Sequence, residues 1–436
     1  MRVKVFFILL LVCISMNAQT ASVRTQTAGT LSKVLTDYQK KNLVSLKISG
    51  PINGTDIRLL QCMLSQKNKP DSLKGQLKQL DLENARIVSG GEAYAKKLDV
   101  LWYLYDDYPS YVDIKAEDDI MGSEIFKDSQ LESIILPSTL KEIEDKAFRD
   151  AKNLSYIKIP MSVITIGQKV FEDCPCLSSI DVDRKSNSFV SVDGVLFTKD
   201  KKRLVHYPCG KIGDYVIPDG TEHIYGAFNG CEQITSIIIP ASIKDEIEES
   251  DKYFDGCKFK TVYIKGAVEG AKNIPCTEKY IVDEDNPVYS TVEGVLYDKD
   301  KKKLLRFPPF CQATSIYDVE IIGYKAFCDC ISLTSARFDP PTRLISQHAF
   351  LRCRNLQTIK IPSSVTEIHK DAFLHCDNLS DIYFEGVVPP GHHDFGNPNG
   401  EVKPFKIRNR KCILHVPKNS KETYQKLWPD YAIVEE

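Results

Sequence analysis

Cysteine is the residue type in this sequence with the greatest capacity for chemistry. Thirteen of the 14 cysteines lie after residue 18, and six of these occupy one equivalent position of a repeated pattern: Cys174, Cys231, Cys257, Cys330, Cys353 and Cys376. Because Ala151 and Ser129 fill that position in two other copies, it requires a small side chain, and buried cysteine packs as a small hydrophobe. We therefore predict a column of reduced, inward-facing thiols. Disulfides between neighbouring copies remain an alternative, although the odd number would leave at least one thiol free.

Five short segments contain residue types that bind metal ions: residues 174–176, 328–330, 391–394, 181–183 and 283–286. The first two contain two cysteines each without a C-x-x-C pair, and a zinc site needs three or four converging ligands. His392 and His393 form the only histidine cluster of the sequence, and two ligands do not complete a site. The two acidic segments lack the D-x-D-x-D-G spacing of a calcium loop. We therefore predict no metal site and no cofactor.

Recognisable catalytic motifs are missing from the sequence. It contains no G-x-S-x-G, no G-x-x-x-x-G-K-[ST] and no H-E-x-x-H segment. Its paired carboxylates lie in lysine-rich polar turns, where nothing indicates a raised pKa or a dry cleft. We therefore predict a protein that is not an enzyme, since catalysis would require distant residues to converge.

The charge balance excludes a strongly cationic nucleic-acid binder. Lys and Arg number 57 against 59 Asp and Glu, which gives a formal net charge of -2. The basic run Lys201-Lys202-Arg203 follows Asp200 and has no aromatic platform beside it, so we interpret it as a solvated turn. Hydrophobic residues make up 42% of the chain, which is enough for a sizeable core.

The first 18 residues have the pattern of a secretory signal peptide. Arg2 and Lys4 precede an apolar run from Val5 to Ile14, and small and polar residues follow up to a cleavage site expected after Ala18. The run is too short to span a bilayer. Processing to a lipid anchor at residue 13 is the less favoured alternative, because the residue before it is a bulky valine. We therefore predict an exported protein without a membrane span, extracellular or at a cell surface, with the periplasm as a further option.

The pattern Phe-x-x-Cys-x-x-Leu recurs every 23 residues and organises the rest of the chain. It begins at Phe327, Phe350 and Phe373, and earlier at Phe148 and Phe171, where alanine replaces the first cysteine. Each copy continues into a short strand pattern, Ile-x-Ile-Pro, and then Ser-Val-x-x-Ile. One such unit cannot bury its apolar residues alone, whereas stacked units bury them against their neighbours. We therefore predict a repeat architecture with a phenylalanine ladder in its interior.

The full pattern, A-F-x-x-C-x-x-L-x-x-I-x-I-P-x-S-V-x-x-I, resembles the BspA-like family of bacterial leucine-rich-repeat surface proteins. The match is best at residues 349–368, 147–166 and 227–243. The resemblance implies a curved α/β leucine-rich-repeat solenoid of 23-residue units. It also implies a non-enzymatic binding function, often adhesion, without fixing the ligand.

The predicted organisation has four parts. Residues 1–18 are the signal peptide, 19–119 an N-terminal cap, 120–390 the solenoid, and 391–436 a C-terminal cap with a strand and a helix. In the N-terminal cap we predict an amphipathic helix over 28–41, with Leu31, Val34, Leu35 and Tyr38 on one side, a helix over about 56–66, and an irregular loop or short helix over 90–112. Two insertions, near 186–208 and 286–308, resemble each other at an offset of 100 residues and are predicted to be β-hairpins.

A solenoid of this kind offers a concave sheet surface for binding. The alternation of the strand pattern places these candidate ligand-binding residues on it: Tyr156, Lys158, Asp181, Ile238, Tyr263, Arg337, Lys360 and Tyr383. We predict a monomer that binds an extracellular protein through this face. Carbohydrate binding, with Tyr156, Tyr263 and Tyr383 as stacking platforms, is the first alternative. A structural component of the cell envelope is the second.

Overall fold

The computed structural model describes residues 19–65, 75–98, 111–248, 253–311, 319–391, 409 and 411–436. The predicted signal peptide and the His392-His393 cluster lie outside the described residues. The described chain divides into two compact units. Unit 1 comprises Met1–Lys211 and Gly226–Cys231, and unit 2 comprises Ile212–Tyr225 and Glu232–Glu436.

Most described elements are short strands. Those of unit 1 are β1 (Thr20–Arg24), β2 (Ser45–Ile52), β3 (Gln79–Ile87), β4 (Gly90–Leu98), β5 (Tyr111–Ala116), β6 (Ile120–Met121), β7 (Ser133–Ile135), β8 (Glu142–Ile143), β9 (Tyr156–Ile159), β10 (Thr165–Ile166), β11 (Ser179–Val182), β12 (Phe189–Val192), β13 (Val195–Thr198) and β14 (Leu204–His206). Those of unit 2 are β15 (Gly213–Val216), β16 (Ile234–Ile239), β17 (Phe259–Ile264), β18 (Cys276–Val282), β19 (Tyr289–Val292), β20 (Val295–Asp298), β21 (Lys303–Arg306), β22 (Ile321–Ile322), β23 (Ser335–Arg337), β24 (Leu344–Ile345), β25 (Thr358–Ile361), β26 (Glu367–Ile368), β27 (Asp381–Phe384), β28 (Ile413–Val416) and β29 (Ala432–Glu435).

The described helices are few and short. They are α1 (Leu31–Val34), α2 (Asp37–Asn42), α3 (Gly54–Met63) and α4 (Lys421–Leu427), with a 3₁₀ turn at Ala271–Asn273. Among the described residues, no helix has the length and apolar character that crossing a bilayer demands.

Unit 1 is built on a six-stranded sheet in the order β1-β2-β3-β7-β9-β11, whose neighbouring strands are all parallel. Ile134, Ile157 and Ile180 lie in register and are buried, because alternate side chains of a strand point to the same face. The intervening side chains form the open face of the sheet. The sequence pattern Ile-x-Ile thus becomes one buried and one open surface.

Unit 2 contains two further parallel sheets with the same division into a buried and an open face. One has four strands in the order β15-β16-β17-β18, and the other has five in the order β23-β25-β27-β28-β29. A mixed sheet, β19-β20-β21-β22-β24-β26, combines the second insertion with the short strands of the following repeats.

The interior of each unit contains stacked phenylalanine rings. In unit 1 the ring centroids of Phe148 and Phe171 are 5.6 Å apart. In unit 2 the ring of Phe350 lies 4.8 Å from Phe327 and 5.2 Å from Phe373. All five rings are at most 2% exposed. The predicted phenylalanine ladder is therefore buried within each unit.

The six cysteines of the repeat position are buried beside this ladder, which confirms that they face inward. The thiol of Cys353 donates to the carbonyl oxygen of Phe327 in the preceding copy at 3.0 Å, and Cys376 donates in the same way to Phe350. All 13 described cysteines are free thiols. Burial raises the pKa of the Cys330 thiol, so it remains a protonated donor.

The N-terminal cap differs from the prediction in two places. The single helix expected over 28–41 is wrong: Leu35 is extended between α1 and α2, and α2 starts with a capping box from Thr36 to Gln39. Tyr38 is consequently 76% exposed instead of lying with Leu31 on an apolar side. The irregular loop or short helix expected over 90–112 is also wrong at both ends, where β4 and β5 form an antiparallel pair, and residues 99–110 lie outside the described residues.

Each insertion contains the predicted hairpin, β13-β14 in unit 1 and β20-β21 in unit 2. A further strand, β12 or β19, pairs antiparallel with the first strand of each hairpin and makes the arrangement three-stranded. A two-residue turn joins the first two strands in each. Asp193 and Gly194 have φ values of 50° and 80°, and Glu293 and Gly294 have 50° and 85°. Such positive φ values match a type I′ hairpin turn, in which glycine takes the second position without strain.

These turns cover the edges of two sheets. The N–H of Ile180 on edge strand β11 donates to the carbonyl oxygen of Gly194 at 2.8 Å, and the Ser191 hydroxyl donates to the carbonyl oxygen of Ile180 at 2.7 Å. On edge strand β18, the N–H of Tyr280 donates to Gly294 at 2.9 Å. Because the edge groups are satisfied there, each insertion ends a sheet. The residues predicted for the concave surface therefore lie on three sheets.

The C-terminal cap of unit 2 contains the predicted strand and helix, β28 and α4, and a further strand, β29, that pairs with β28. Tyr424 and Trp428 are buried, and the Tyr424 hydroxyl donates to the carbonyl oxygen of Gly386 at 2.7 Å. The rings of Tyr424 in α4 and of Trp428 directly after it pack against Phe384 of the five-stranded sheet.

Candidate functional site

The open face of the six-stranded sheet in unit 1 carries three of the predicted ligand-binding residues. Lys158 lies in register between Ile135 and Asp181. Tyr156 is two residues before Lys158 on β9 and therefore points to the same face. The Tyr156 hydroxyl donates to the Asp181 carboxylate at 3.0 Å. Burial and this hydrogen bond raise the pKa of Tyr156. The structure therefore brings these residues together.

Ion pairs satisfy most of the charges on this face. Lys158 lies 3.5 Å from the carboxylate of Asp183, and Lys47 on β2 lies 2.6 Å from the carboxylate of Asp81 on the neighbouring strand β3. The backbone N–H of Lys185 and the charge of Lys158 lower the pKa of Asp183. Ile135, 52% exposed, is a single apolar residue between these pairs. This face is polar, and most of its charged groups pair with one another.

The open face of the four-stranded sheet in unit 2 has the opposite character. Four apolar side chains lie in register across its four strands, in the order Val216, Ile238, Tyr263 and Ile281. We refer to these four residues as the apolar row. Val216 is 53% exposed and the other three are half-buried. The neighbouring open positions are polar: Asp214, Ser236, Thr261 and Lys279.

Sequence reasoning found Ile238 and Tyr263 but missed Val216 and Ile281. Tyr215-Val216-Ile217-Pro218 repeats the strand pattern that ends in proline, and this signal could have identified Val216. No Phe-x-x-Cys segment stands at the usual distance before it. Ile281 has no such signal, because its strand is followed by Asp283 instead of proline. The hydroxyl of Tyr263 donates to Asp283, and this hydrogen bond raises the pKa of Tyr263.

The open face of the five-stranded sheet carries Arg337, Lys360 and Tyr383 in register, followed by His415. Arg337 pairs with Asp339 at 3.2 Å, and Lys360 pairs with Glu385 at 2.7 Å. Sequence reasoning missed His415, although Cys412-Ile413-Leu414-His415-Val416-Pro417 repeats the strand pattern.

His415 covers one face of the predicted platform residue Tyr383. The two rings are stacked with their centroids 4.2 Å apart. The two imidazole nitrogens lie 2.9 Å from Asp381 and 2.6 Å from Glu436. Hydrogen bonds from Ser380 and His415 lower the pKa of Asp381. The arrangement fixes the Tyr383 ring between neighbouring strands.

The three open faces expose side chains to solvent. In the described ranges no group of three or more His, Cys, Asp or Glu side chains is arranged to hold a metal ion. The described thiols are mostly buried, and burial raises the pKa of Cys328 to about 11 and that of Cys276 to about 12, which suppresses the nucleophilic thiolate. The open faces carry exposed apolar side chains, hydrogen bonds and ion pairs.

The sequence matches a family model described as BspA type leucine rich repeat region. The match has six copies over residues 119–202, 202–274 and 311–398. These ranges together cover more than half of the 436 residues.

Solved structures of bacterial leucine-rich-repeat proteins are similar to the chain. A leucine rich cell surface protein from Faecalibacterium prausnitzii has 20% identity, covers 79% of each chain and gives a TM-score of 0.31. The pneumococcal vaccine antigen PcpA has 16% identity over 90% of this chain and 79% of its own, with a TM-score of 0.31. A leucine-rich repeat protein from Eubacterium ventriosum has 16% identity over 78% and 84%, with a TM-score of 0.38. No curated protein sequence gives a significant match.

Proposed function

The chain belongs to the family of BspA-type leucine-rich-repeat proteins, and from this premise we propose that it is an exported, non-enzymatic recognition protein that binds an extracellular protein. Its place of action is the bacterial cell surface or the medium around it. The signal-peptide pattern at the N-terminus supports export. The name of the Faecalibacterium relative, a cell surface protein, agrees with that location.

The observation that carries this proposal is the apolar row of unit 2. Single exposed apolar residues are common on soluble proteins, whereas contiguous ones with a polar border indicate an interaction surface. Four neighbouring strands each contribute one apolar side chain to the row, and the adjacent positions are polar. The row therefore has the anatomy of a small interface core with a polar rim.

A protein fits this row better than a charged ligand. Its side chains offer contact area and, through Tyr263, one aromatic anchor of the type enriched at binding hot spots. The hydrogen bond from Tyr263 to Asp283 holds that ring in place before binding. An anchor that is already ordered loses less conformational entropy in a complex.

The test is binding of the mature chain to purified extracellular-matrix proteins, measured by biolayer interferometry. We expect the double variant Val216→Asp with Ile238→Asp to lose at least tenfold in affinity for any panel protein that binds, because two charges would be desolvated in the interface. The matched control is Ile135→Asp on the open face of unit 1, which is expected to bind like the parent protein.

Two results contradict the proposal. One is an affinity that the double variant leaves unchanged. The other is strong retention of the purified protein on cell-envelope fractions without binding to any panel protein, which would favour a structural envelope component.

A further inference from the structure

We infer that a cavity in unit 1, where β11 meets the first insertion, is a separate binding site for a neutral carbohydrate of one or two sugar units. The cavity has a volume of about 440 Å³, within the range of ~300–1,000 Å³ typical of small-ligand pockets. Its lining includes Asp181, Asp183, Arg184, Phe189, Asp193 and Lys199. This site goes beyond the proposed function and does not rest on it.

The lining is apolar on some sides and strongly polar on others. Phe189 is buried, and Val182 and Val190 are half-buried, so they provide an apolar wall. Asp193, Arg184 and other polar residues provide hydrogen-bonding groups. A pyranose ring has the same two kinds of surface, since its C–H groups form apolar faces and its hydroxyls point outward from the edge. The apolar and polar parts of the lining therefore match the apolar faces and the polar edge of a sugar ring.

The charges of the lining favour a neutral ligand. Asp181 accepts hydrogen bonds from Tyr156 and Ser179, and Asp183 accepts one from the backbone N–H of Lys185. An anionic ligand would meet these carboxylates, and a cationic ligand would meet Arg184 and Lys199. Sugar hydroxyls can donate to carboxylates and accept from cations, and hydrogen bonds to charged groups are the stronger ones.

Two residues at the cavity remain available for such bonds. The carboxylate of Asp193 and the guanidinium of Arg184 are exposed, and neither forms an ion pair within the part of the chain that the structure describes. They lie at opposite ends of the segment that leads from β11 into the turn. A hydroxylated ligand between them could bond to both.

The backbone around the cavity is fixed by hydrogen bonds. Lys199 donates to the carbonyl oxygen of Ser186 at 2.7 Å, and Lys211 donates to that of Asp193 at 2.6 Å. The turn itself is held to β11 through Gly194 and Ile180 at 2.8 Å. A cavity with fixed walls loses little entropy when a small ligand enters.

The second insertion supplies a matched control. At the same offset of 100 residues, Glu293 replaces Asp193, Glu284 replaces Arg184, and Ile281 replaces Asp181. The turn geometry is the same, with a positive φ at Glu293 and Gly294. The second junction thus has the turn of the first with an acidic residue in place of Arg184 and an apolar residue in place of Asp181, while Lys299 stands where Lys199 does.

The test is saturation-transfer-difference NMR of the full mature chain with methyl glycosides of glucose, galactose, mannose and N-acetylglucosamine, and with lactose, cellobiose and chitobiose. We expect at least one of these probes to receive saturation from the parent protein. The variants Asp193→Asn and Arg184→Ala are each expected to weaken its binding about tenfold. Asparagine is favoured at the first position of a type I′ turn, so Asp193→Asn should keep the fold. The control Glu293→Gln should bind like the parent.

Three outcomes would overturn the inference. They are the absence of saturation for every probe, unchanged binding in Asp193→Asn and Arg184→Ala, and loss of sugar binding on Tyr263→Ala alone, which would move the site to the open face of unit 2. The protein-binding proposal is tested apart from this one. Ile238→Asp should leave sugar binding intact, and Asp193→Asn should leave binding to the matrix protein intact.

Discussion

The open face of the six-stranded sheet in unit 1 and that of the four-stranded sheet in unit 2 use the same backbone positions with opposite chemistry. In unit 1, Lys47, Asp81 and Lys158 lie in one row with Ile135 among them, and their charges are paired. In the four-stranded sheet of unit 2, the apolar row has an apolar side chain on each of the four strands.

This difference shows which positions the repeat constrains. The buried positions must hold apolar side chains, because each unit is stable only through its stacked neighbours. The open positions carry no such requirement. A contrast in chemistry between two open faces can therefore reflect a contrast in function, and the predictions below test whether interior and open faces behave as differently as this argument requires.

The largest expected effect is common to both interiors. Phe148→Ala in unit 1 and Phe350→Ala in unit 2 should each lower the free energy of unfolding by about 3–5 kcal/mol, because a fully buried ring leaves a cavity between its stacked neighbours. Urea unfolding followed by circular dichroism measures this. The open-face control Ile135→Ala should change it by less than about 0.5 kcal/mol. A small decrease in the free energy of unfolding for either variant would show that the rings are not packed as described.

The second effect is a pH dependence of stability that we expect from the interior of unit 1, where a histidine is buried. His206 is 4% exposed beside the ring of Phe171, and burial lowers its pKa to about 4 from 6.5. The unfolded chain therefore binds a proton below about pH 6.5 that the folded chain does not, and stability falls as the pH decreases toward 4. Between pH 7 and pH 5 the loss should be about 2 kcal/mol.

At an offset of 100 residues, Arg306 of unit 2 takes the place of His206. An arginine side chain stays protonated between pH 7 and pH 5. His206→Gln should remove most of the loss between pH 7 and pH 5, measured by urea unfolding at both values. If the free energy of unfolding decreased equally in parent and variant between pH 7 and pH 5, a group other than His206 would cause the pH dependence.

A third and smaller effect concerns the turns that end the sheets. Gly294→Ala should lower stability by about 1–2 kcal/mol, because its φ of 85° disfavours a side chain. An added Cβ would also lie 2.6 Å from the Cβ of Lys279. At Gly194 the nearest atom to an added Cβ is the Ser179 hydroxyl oxygen at 2.7 Å, which can rotate away. We therefore expect Gly194→Ala to be the milder change by thermal unfolding. The reverse order would contradict the two turn geometries.

The smallest effect is expected on the charged open face of unit 1. Lys158→Ala removes an exposed partner at 3.5 Å from Asp183. Exposed ion pairs contribute little, since solvent screens them. The urea midpoint should not change measurably, and a clear decrease would mean that this face supports the fold as well as covering it.

The sequence pattern was sufficient for the buried half of the fold. The Phe-x-x-Cys-x-x-Leu spacing identified Phe148, Phe350 and Cys353 as interior residues, because a period of 23 demands that every copy bury the same positions. Alternation within Ile-x-Ile also identified the open positions. Local periodicity governs both features, so they can be derived from one sequence.

The resemblance of the two insertions predicted where they interrupt the repeats, but not that their turns end the sheets. That depends on the hydrogen bonds between Ile180 and Gly194 and between Tyr280 and Gly294. Two residues of the apolar row were missed for a related reason. Register decides that Val216 and Ile281 lie beside Ile238 and Tyr263, and their strands lack the regular repeat around them.

The most direct test of the proposed binding surface is site-specific crosslinking. A photoreactive benzoylphenylalanine would be placed at Ile238 in one variant and at Ile135 in another, and each would be irradiated with a purified matrix protein that binds the parent chain. The account predicts crosslinks from position 238 and none above background from position 135. Crosslinks from position 135 alone, or equal yields from both, would contradict it.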